Sequence, residues 1–164
     1  MSGIINIHLI DKIDKSLSQG LIKALTETLK SDLWGIVLFG SRARGEGKSF
    51  SDWDVFIIAD GVPQNPVDRT MFLRDLFSKK GIKKVSPIVR TREEFEKSLR
   101  PLYLDIAWDG IILFDQEGYV ELKIKEIRKI IEKSGLQRRK KRGGWVWEWE
   151  RPPEPGKWEL EWGR

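Results

Sequence analysis

Residues 38–58 read LFGSRARGEGKSFSDWDVFII, and this stretch decides both the fold and the candidate chemistry. The apolar run over 34–40 is too continuous for an exposed strand and too short for a helix, so it predicts a buried strand. Residues 52–60, DWDVFIIAD, read as its partner strand. The small, basic, glycine-containing segment between them, 41–51, predicts a tight turn followed by a short helix or loop.

Two aspartates at the start of the second strand are the candidate catalytic residues. Gly40-Ser41 is followed, after ten residues, by Asp52-x-Asp54. Side chains two residues apart on a strand project to the same face, so these carboxylates can share divalent cations. Two carboxylates with little else nearby suit Mg²⁺, which keeps water and substrate phosphate as its other ligands. The pair therefore predicts a site for a nucleoside triphosphate with Mg²⁺.

The residues before the aspartates form the predicted nucleotide-binding side of that site. Gly40 permits close approach of the backbone to phosphate, and Ser41 offers a hydroxyl and a backbone N–H. Arg42 and Arg44 lie within reach of the same anion. Each part of the pattern also has a plain structural interpretation, as an ordinary turn, a capping aspartate or a solvated strand end.

The rest of the chain alternates between helical and strand patterns. Helical spacing or capping signals predict helices over 13–29, from 66 to the glycine at 81, and over 91–99, 102–108 and 119–134. Short apolar runs predict further strands over 82–90 and 110–114. This alternation predicts an α/β or α+β domain.

Composition excludes several classes of protein. The 164 residues, 40% hydrophobic and 34% charged, suit one globular domain with a small appendage. The absence of cysteine excludes disulfide scaffolds and thiolate metal sites, and we expect no catalytic role for the single histidine, His8. Because no apolar run approaches the ~18 residues of a membrane span and residues 1–11 lack a secretory pattern, we expect a cytoplasmic protein without a membrane partner.

The C-terminal residues differ from the rest in charge and aromatic content. Residues 138–142 read RRKKR, and five of the eight tryptophans follow them. Tryptophan alternates with other residues over 145–150 and 158–162, which predicts a Trp-rich β-hairpin joined by residues 151–156. We therefore divide the chain into a domain over 1–135 and a basic, Trp-rich extension over 136–164.

Two interpretations of this extension stay open. In the first, its aromatic face packs on the domain, or on another subunit to form a homodimer. Either arrangement covers a large apolar patch that would be a liability if it stayed exposed. Alternatively, the rings stack on bases and steer RNA towards the site, although the glutamates of the same segment would repel phosphate. The RRKKR run by itself is typical of a solvated, mobile charged face.

The Gly-Ser turn and the paired aspartates between two strands resemble the nucleotidyltransferase superfamily of DNA polymerase β, most closely its small archaeal, minimal members. The resemblance covers roughly residues 31–89. It implies a mixed β-sheet flanked by helices, with Asp52 and Asp54 binding Mg²⁺ and Gly40-Ser41 holding a triphosphate such as ATP. It further implies that an acceptor hydroxyl attacks the α-phosphate and keeps the nucleoside monophosphate while pyrophosphate leaves.

The sequence departs from the family at the third carboxylate. In the family this group comes from the next strand, ligates one metal and helps to deprotonate the acceptor hydroxyl, and alignment places Ser86 there. A hydroxyl is a weak ligand and a poor base, so the two-metal site would be incomplete. Candidate substitutes are Glu93, Glu94 and Asp105. They also have structural interpretations: a helix N-terminus for Glu93, a capping box for Glu94 and, for Asp105, either an ion pair with Arg100 or a backbone cap.

Three functions follow. The first is a Mg²⁺-dependent nucleotidyltransferase. By the family resemblance it would work with a small helical partner of the HEPN kind, as antitoxins that adenylylate a toxin do. The second is a catalytically weak nucleotide- or RNA-binding module, and the third is an interaction protein that dimerises through the Trp-rich extension.

Overall fold

The structure, a computed structural model, describes residues 14–154 and 160–162. The sequence predictions for His8, Ile13 and Trp158 lie outside the described residues. Over the described part of the chain, none of the helices has the length and apolarity that a membrane crossing requires.

Six α-helices and six strands follow one another over residues 15–149 of the described chain, with a short 3₁₀ helix, Lys30–Asp32, after the first α-helix. They are α1 (Lys15–Leu29), β1 (Leu33–Phe39), α2 (Gly40–Ala43), β2 (Trp53–Ala59), α3 (Pro66–Lys79), β3 (Val85–Arg90), α4 (Arg92–Lys97), α5 (Pro101–Asp109), β4 (Ile111–Asp115), α6 (Tyr119–Ser134), β5 (Leu136–Lys141) and β6 (Gly144–Trp149). The helices and strands predicted before residue 135 are confirmed, with bounds displaced by at most three residues.

Local capping residues explain why the predicted helix starts hold. The Asn65 side chain accepts hydrogen bonds from the backbone N–H groups of Val67 and Asp68, and Pro66 occupies the first turn of α3. The predicted capping box of α4 is complete, with the Thr91 and Glu94 side chains each accepting from the other's backbone N–H. These signals act within a few residues, so the sequence alone reveals them.

The main sheet is mixed and has helices on both faces, as predicted. Its strand order is β3-β2-β1-β4, in which β2 and β3 are parallel and the other pairs are antiparallel. Helices α1 and α3 pack on one face, which includes Leu38, Val55 and Ile57. Helices α4, α5 and α6 pack on the other face, which includes Phe56 and Ile58.

The C-terminal Trp-rich hairpin is present, but its strands differ from the prediction. The tryptophan strand β6 pairs with the basic strand β5, and residues 160–162, the described part of the predicted partner, form no strand. A two-residue loop, Arg142-Gly143, joins β5 to β6. So short a connection favours pairing between neighbouring strands, whereas the segment that follows β6 is rich in proline. The predicted division of the chain at residue 135 stays a prediction.

Candidate active site

The Gly-Ser turn lies directly against the second aspartate. β1 ends at Phe39, which pairs in register with Asp54 of β2. Gly40 follows with φ of 75°, a left-handed conformation that favours glycine. A Cβ atom added to Gly40 would lie 2.5 Å from Asp54 Oδ2. The turn and the carboxylate are therefore packed together so closely that only glycine fits between them.

Asp52 and Asp54 differ in their surroundings. Asp52 is exposed just before β2, whereas Asp54 is half-buried within that strand. Burial raises the pKa of Asp54, the negative charge of Asp52 raises it further, and the Arg44 guanidinium opposes the shift. Trp53, between them, packs into the core on the opposite side of the sheet, as its position in the strand predicts. The two carboxylates therefore repel each other in a partly desolvated place, which a bound cation would relieve.

The donor set fits one Mg²⁺ ion better than two. Carboxylate oxygens are suitable ligands, and the pKa of Asp54 is raised first by burial and then by the charge of Asp52. On the neighbouring strand, Ser86 pairs in register with Asp54 and is exposed. Among residues 14–154 and 160–162, no group of three or more His, Asp or Glu side chains could hold a metal. The third carboxylate of a two-metal site is thus not supplied by the described residues.

The candidate substitutes for that carboxylate have other partners. Glu94 accepts hydrogen bonds from Arg69 at 2.7 and 3.2 Å, in addition to closing its capping box. Asp105 pairs with Arg138 at 3.2 Å and accepts a hydrogen bond from a tryptophan of β6, whereas the predicted alternatives were Arg100 and a backbone cap. Glu93 is exposed on α4. None of these three acids is among the charged groups that shift the pKa of Asp54, which are Asp52 and Arg44.

Arg42 fastens the loop that leads to the aspartates. Its Nε and Nη2 atoms donate to the backbone oxygen of Ser51 at 3.2 and 2.8 Å, and its guanidinium lies 4.7 Å from the centre of the Trp53 ring. A Cβ atom at Gly47 would lie 2.5 Å from Arg42 Cδ, so the loop folds tightly around this side chain. Its contact with phosphate stays a prediction.

Arg44 is held by two carboxylates and lies close to the aspartate pair. Its Nε atom is 2.8 Å from Glu46 Oε2, and its Nη1 atom is 3.4 Å from Asp109 Oδ2. Its positive charge opposes the upward shift in the pKa of Asp54, so the two groups are close enough to interact electrostatically. Glu46 and Asp109, for which the sequence predicts no role, are distant in the chain, and the fold brings both to Arg44.

Strand β5 brings two more cations to the same carboxylates. Arg138 Nη1 lies 2.5 Å from Asp109 Oδ2, and Lys140 Nζ lies 2.9 Å from Glu46 Oε1. The Arg138 side chain is only 3% exposed, so the expectation that the whole RRKKR run is a solvated, mobile face is wrong for this residue. Alternation along β5 places Leu136, Arg138 and Lys140 on one face, and this pattern is the signal that could have revealed it.

The aromatic face of the hairpin packs on its own domain, which was the first of the two interpretations. Trp147 Nε1 donates to Asp105 Oδ1 at 3.0 Å, and its ring meets that of Trp108 edge-on at 5.5 Å. The Arg138 guanidinium lies 4.9 Å from the Trp145 ring and 5.9 Å from the Trp147 ring. RNA as a partner and dimerisation through this segment stay predictions.

Comparison with known proteins agrees with this arrangement. The nucleotidyltransferase domain family matches residues 20–141, a range that contains the Gly-Ser turn, both aspartates and all of β5. The chain belongs to the nucleotidyltransferase domain family. This membership confirms the resemblance drawn from Gly40-Ser41 and Asp52-x-Asp54.

One relative and two solved structures illustrate the likeness. A protein of Methanocaldococcus jannaschii described as a candidate protein adenylyltransferase is 30% identical over 128 residues, which are 75% of this chain and 86% of that protein. A chain of a toxin–antitoxin complex with AMP-PNP has a TM-score of 0.53 and 21% identity, covering 71% of this chain and 87% of its own. A chain of a tri-AMPylated Shewanella oneidensis HEPN toxin in complex with MNT antitoxin has a TM-score of 0.50 and 19% identity, covering 73% and 87%. At these identities the two structures show a shared fold.

Proposed function

We propose that this protein is a Mg²⁺-dependent nucleotidyltransferase, which transfers a nucleoside monophosphate from a nucleoside triphosphate to an acceptor hydroxyl and releases pyrophosphate. The observation that carries the proposal is the close packing of Gly40 against Asp54. It brings the backbone of a turn, which can bind phosphate, to a pair of carboxylates, which can bind the metal of a metal–triphosphate complex.

Each residue of the site has a proposed task. Asp52 and Asp54 would hold Mg²⁺, which when bound offsets negative charge on the phosphate oxygens. The Ser41 hydroxyl and the Arg44 guanidinium would bind and orient the triphosphate. A bond forms between the acceptor oxygen and the α-phosphorus, and the bond from that phosphorus to pyrophosphate breaks. The acceptor proton leaves to water, since Ser86 is too weak a base to take it.

The comparisons favour ATP as the donor and a protein as the acceptor. The Methanocaldococcus relative is described as a candidate protein adenylyltransferase, and one similar structure contains AMP-PNP. Another is a complex between an AMPylated HEPN toxin and its antitoxin. We accordingly propose that this chain adenylylates a hydroxyl of a small helical partner of the HEPN kind.

The test is transfer of labelled AMP. The protein is incubated with ATP labelled at the α-phosphate, Mg²⁺ and a HEPN-type protein from the same source, and the labelled products are separated. We expect labelling that is lost in Asp52→Asn and Asp54→Asn but kept in Asp75→Asn, which alters an exposed aspartate of α3 paired with Lys79. Labelling that survives both active-site substitutions, or absence of Mg²⁺-dependent ATP binding, would contradict the proposal.

A second candidate function, a nucleotide-binding module with little catalysis, is favoured by the pairing of Ser86 with Asp54. Loss of the base and of one metal ligand lowers the rate more than it lowers nucleotide affinity. Under this candidate, Ser86→Asp raises AMP transfer by at least about tenfold with little change in the Kd for ATP. Ser49→Asp, which adds the same charge to the neighbouring loop, serves as the control. Equal rates for the two variants would exclude Ser86 as the cause of weak catalysis.

A further inference from the structure

The two carboxylates that bind Arg44 are both shared with cations of β5. Glu46 lies between Arg44 and Lys140, with separations of 2.8 and 2.9 Å. Asp109 lies between Arg44 and Arg138, with separations of 3.4 and 2.5 Å. The C-terminal hairpin is therefore connected, through two acids, to the arginine whose charge acts on Asp54.

Arg138 holds Asp109 more strongly than Arg44 does. Its contact with the shared Oδ2 atom is 0.9 Å shorter, since 3.4 Å less 2.5 Å is 0.9 Å. The Arg138 side chain is also almost fully buried, packed beside Trp145 and Trp147 and paired with Asp105. Removal from water strengthens an ion pair of good geometry, and burial fixes the guanidinium in place. Arg138 therefore supplies most of the positive charge that neutralises Asp109.

Sharing of this kind decides how much charge Arg44 can offer to a ligand. If Asp109 and Glu46 had no other partner, both would draw on the single Arg44 guanidinium and would cancel its positive charge. The cations from β5 share the two acids with Arg44, so each acid draws less of its charge. Arg44 then keeps positive charge near Asp54. Its Nε atom faces Glu46 and its Nη1 atom faces Asp109, so its Nη2 group is the part of the guanidinium that remains for a ligand.

We infer that Arg138 and Lys140 are positioning residues of the triphosphate site, which share Asp109 and Glu46 with Arg44 and thereby leave part of the Arg44 guanidinium available to bind a phosphate group. This inference rests on the proposed function, because it assigns Arg44 to the triphosphate. It makes the hairpin a functional part of the site as well as a packing element.

The test measures ATP binding in the presence of Mg²⁺ by titration calorimetry. Arg138→Met should raise the Kd by about tenfold, since a charged hydrogen bond is worth about 1.5–3 kcal/mol and 1.4 kcal/mol is tenfold. Adding Asp109→Asn to that variant should restore the Kd to within about twofold of the wild type, because the acid that captures Arg44 is neutralised. Arg139→Met, in the same run but exposed on the other face of β5, should bind as the wild type does.

A second pair of variants keeps the test decisive if Arg138→Met does not fold. Lys140 has a side chain that is 63% exposed, so Lys140→Met should fold, weaken ATP binding and be rescued by Glu46→Gln. Weakening without rescue in both pairs would mean that β5 acts only on stability and would overturn the inference. Unchanged affinity in Arg138→Met and Lys140→Met would overturn it too while leaving the proposed function intact. Absence of ATP binding by the wild type would overturn both.

Discussion

Gly40 meets two constraints that no other residue type satisfies together. Its φ of 75° is one that L side chains rarely adopt, and the space for a Cβ is occupied by Asp54 Oδ2. Gly40→Ala should therefore displace the Asp54 carboxylate and weaken Mg²⁺-dependent ATP binding by about tenfold or more. It should also lower the free energy of unfolding by about 1–2 kcal/mol. Calorimetry and urea denaturation measure the two effects.

Gly45 offers a matched control for this substitution. It has nearly the same backbone conformation, with φ of 73°, but a Cβ added there would meet no atom within 4 Å. Gly45→Ala should lower stability by a similar amount while leaving ATP binding unchanged. Equal loss of ATP binding in both variants would show that backbone strain, not contact with Asp54, explains the result.

At the scale of residues, the sequence predicts chemistry within a short stretch but not pairings across the chain. The position of Gly40 beside Asp54 follows from two strands and the turn that joins them, all within 38–58. The partners of Arg44 cannot be predicted from that stretch, because one of them, Asp109, is 65 residues away in the sequence. Lys140 is likewise 94 residues from Glu46. A charge pattern shows which residues can pair, and only the fold selects the partners.

Among helices and strands, the sequence predicts those features that depend on residues close together in the chain. Helix caps such as Asn65 and Thr91 act over three residues and were readable from the sequence. The strand that pairs with the tryptophan strand β6 could not be predicted in this way, because alternation identifies a strand without identifying its neighbour. Residues 136–141 carry mostly polar side chains, which concealed a strand whose inward face holds Arg138.

An ion pair between α3 and α4 gives a prediction for stability against pH. Arg69, only 2% exposed, binds Glu94 and holds the pKa of that carboxyl below its usual value of 4.5. The stabilisation is therefore present above about pH 4.5 and is lost as the pH falls through the lowered pKa of the folded state. Glu94→Gln should lower the free energy of unfolding at pH 7 by about 1–2 kcal/mol. That is less than for a fully buried pair, because the Glu94 side chain is 39% exposed.

The pH profile distinguishes the charge from the capping role of Glu94. Glutamine keeps an oxygen that can accept from the Thr91 N–H, so the capping box survives in the variant. Urea denaturation should show the wild type and Glu94→Gln converging in stability as the pH falls below the folded-state pKa. Glu93→Gln, on an exposed side chain of the same helix, should follow the wild type throughout. A constant difference at every pH would mean that the ion pair is not the cause.

At the scale of the whole molecule, composition and packing divide the chain differently. Charge and tryptophan content change at residue 136, which predicts an appendage to a domain over 1–135. In the structure, side chains beyond that position, among them Leu136, Trp147 and Trp162, pack against the same hydrophobic cluster as α5 and α6. Composition records what a segment is made of, and it does not record which surface the segment covers.

A chain that ends after Gly135 should therefore be less stable and should bind ATP poorly. It would leave Asp105 and Asp109 without Arg138 and would expose the side of α5 that Trp147 covers. We expect its free energy of unfolding to fall by about 3–5 kcal/mol, which is typical of breaking a buried ion pair. For a chain of this size, that fall lowers the Tm by roughly 10 °C. Calorimetry measures the Tm and the ATP affinity of the shortened chain, of the full chain and of a chain that ends after Glu154. The chain ending after Glu154 keeps β5 and β6 and should still bind ATP with Mg²⁺. If the chain ending at Gly135 matched the full chain in Tm and in ATP affinity, residue 135 would be a true domain boundary and the hairpin would have no part in the site.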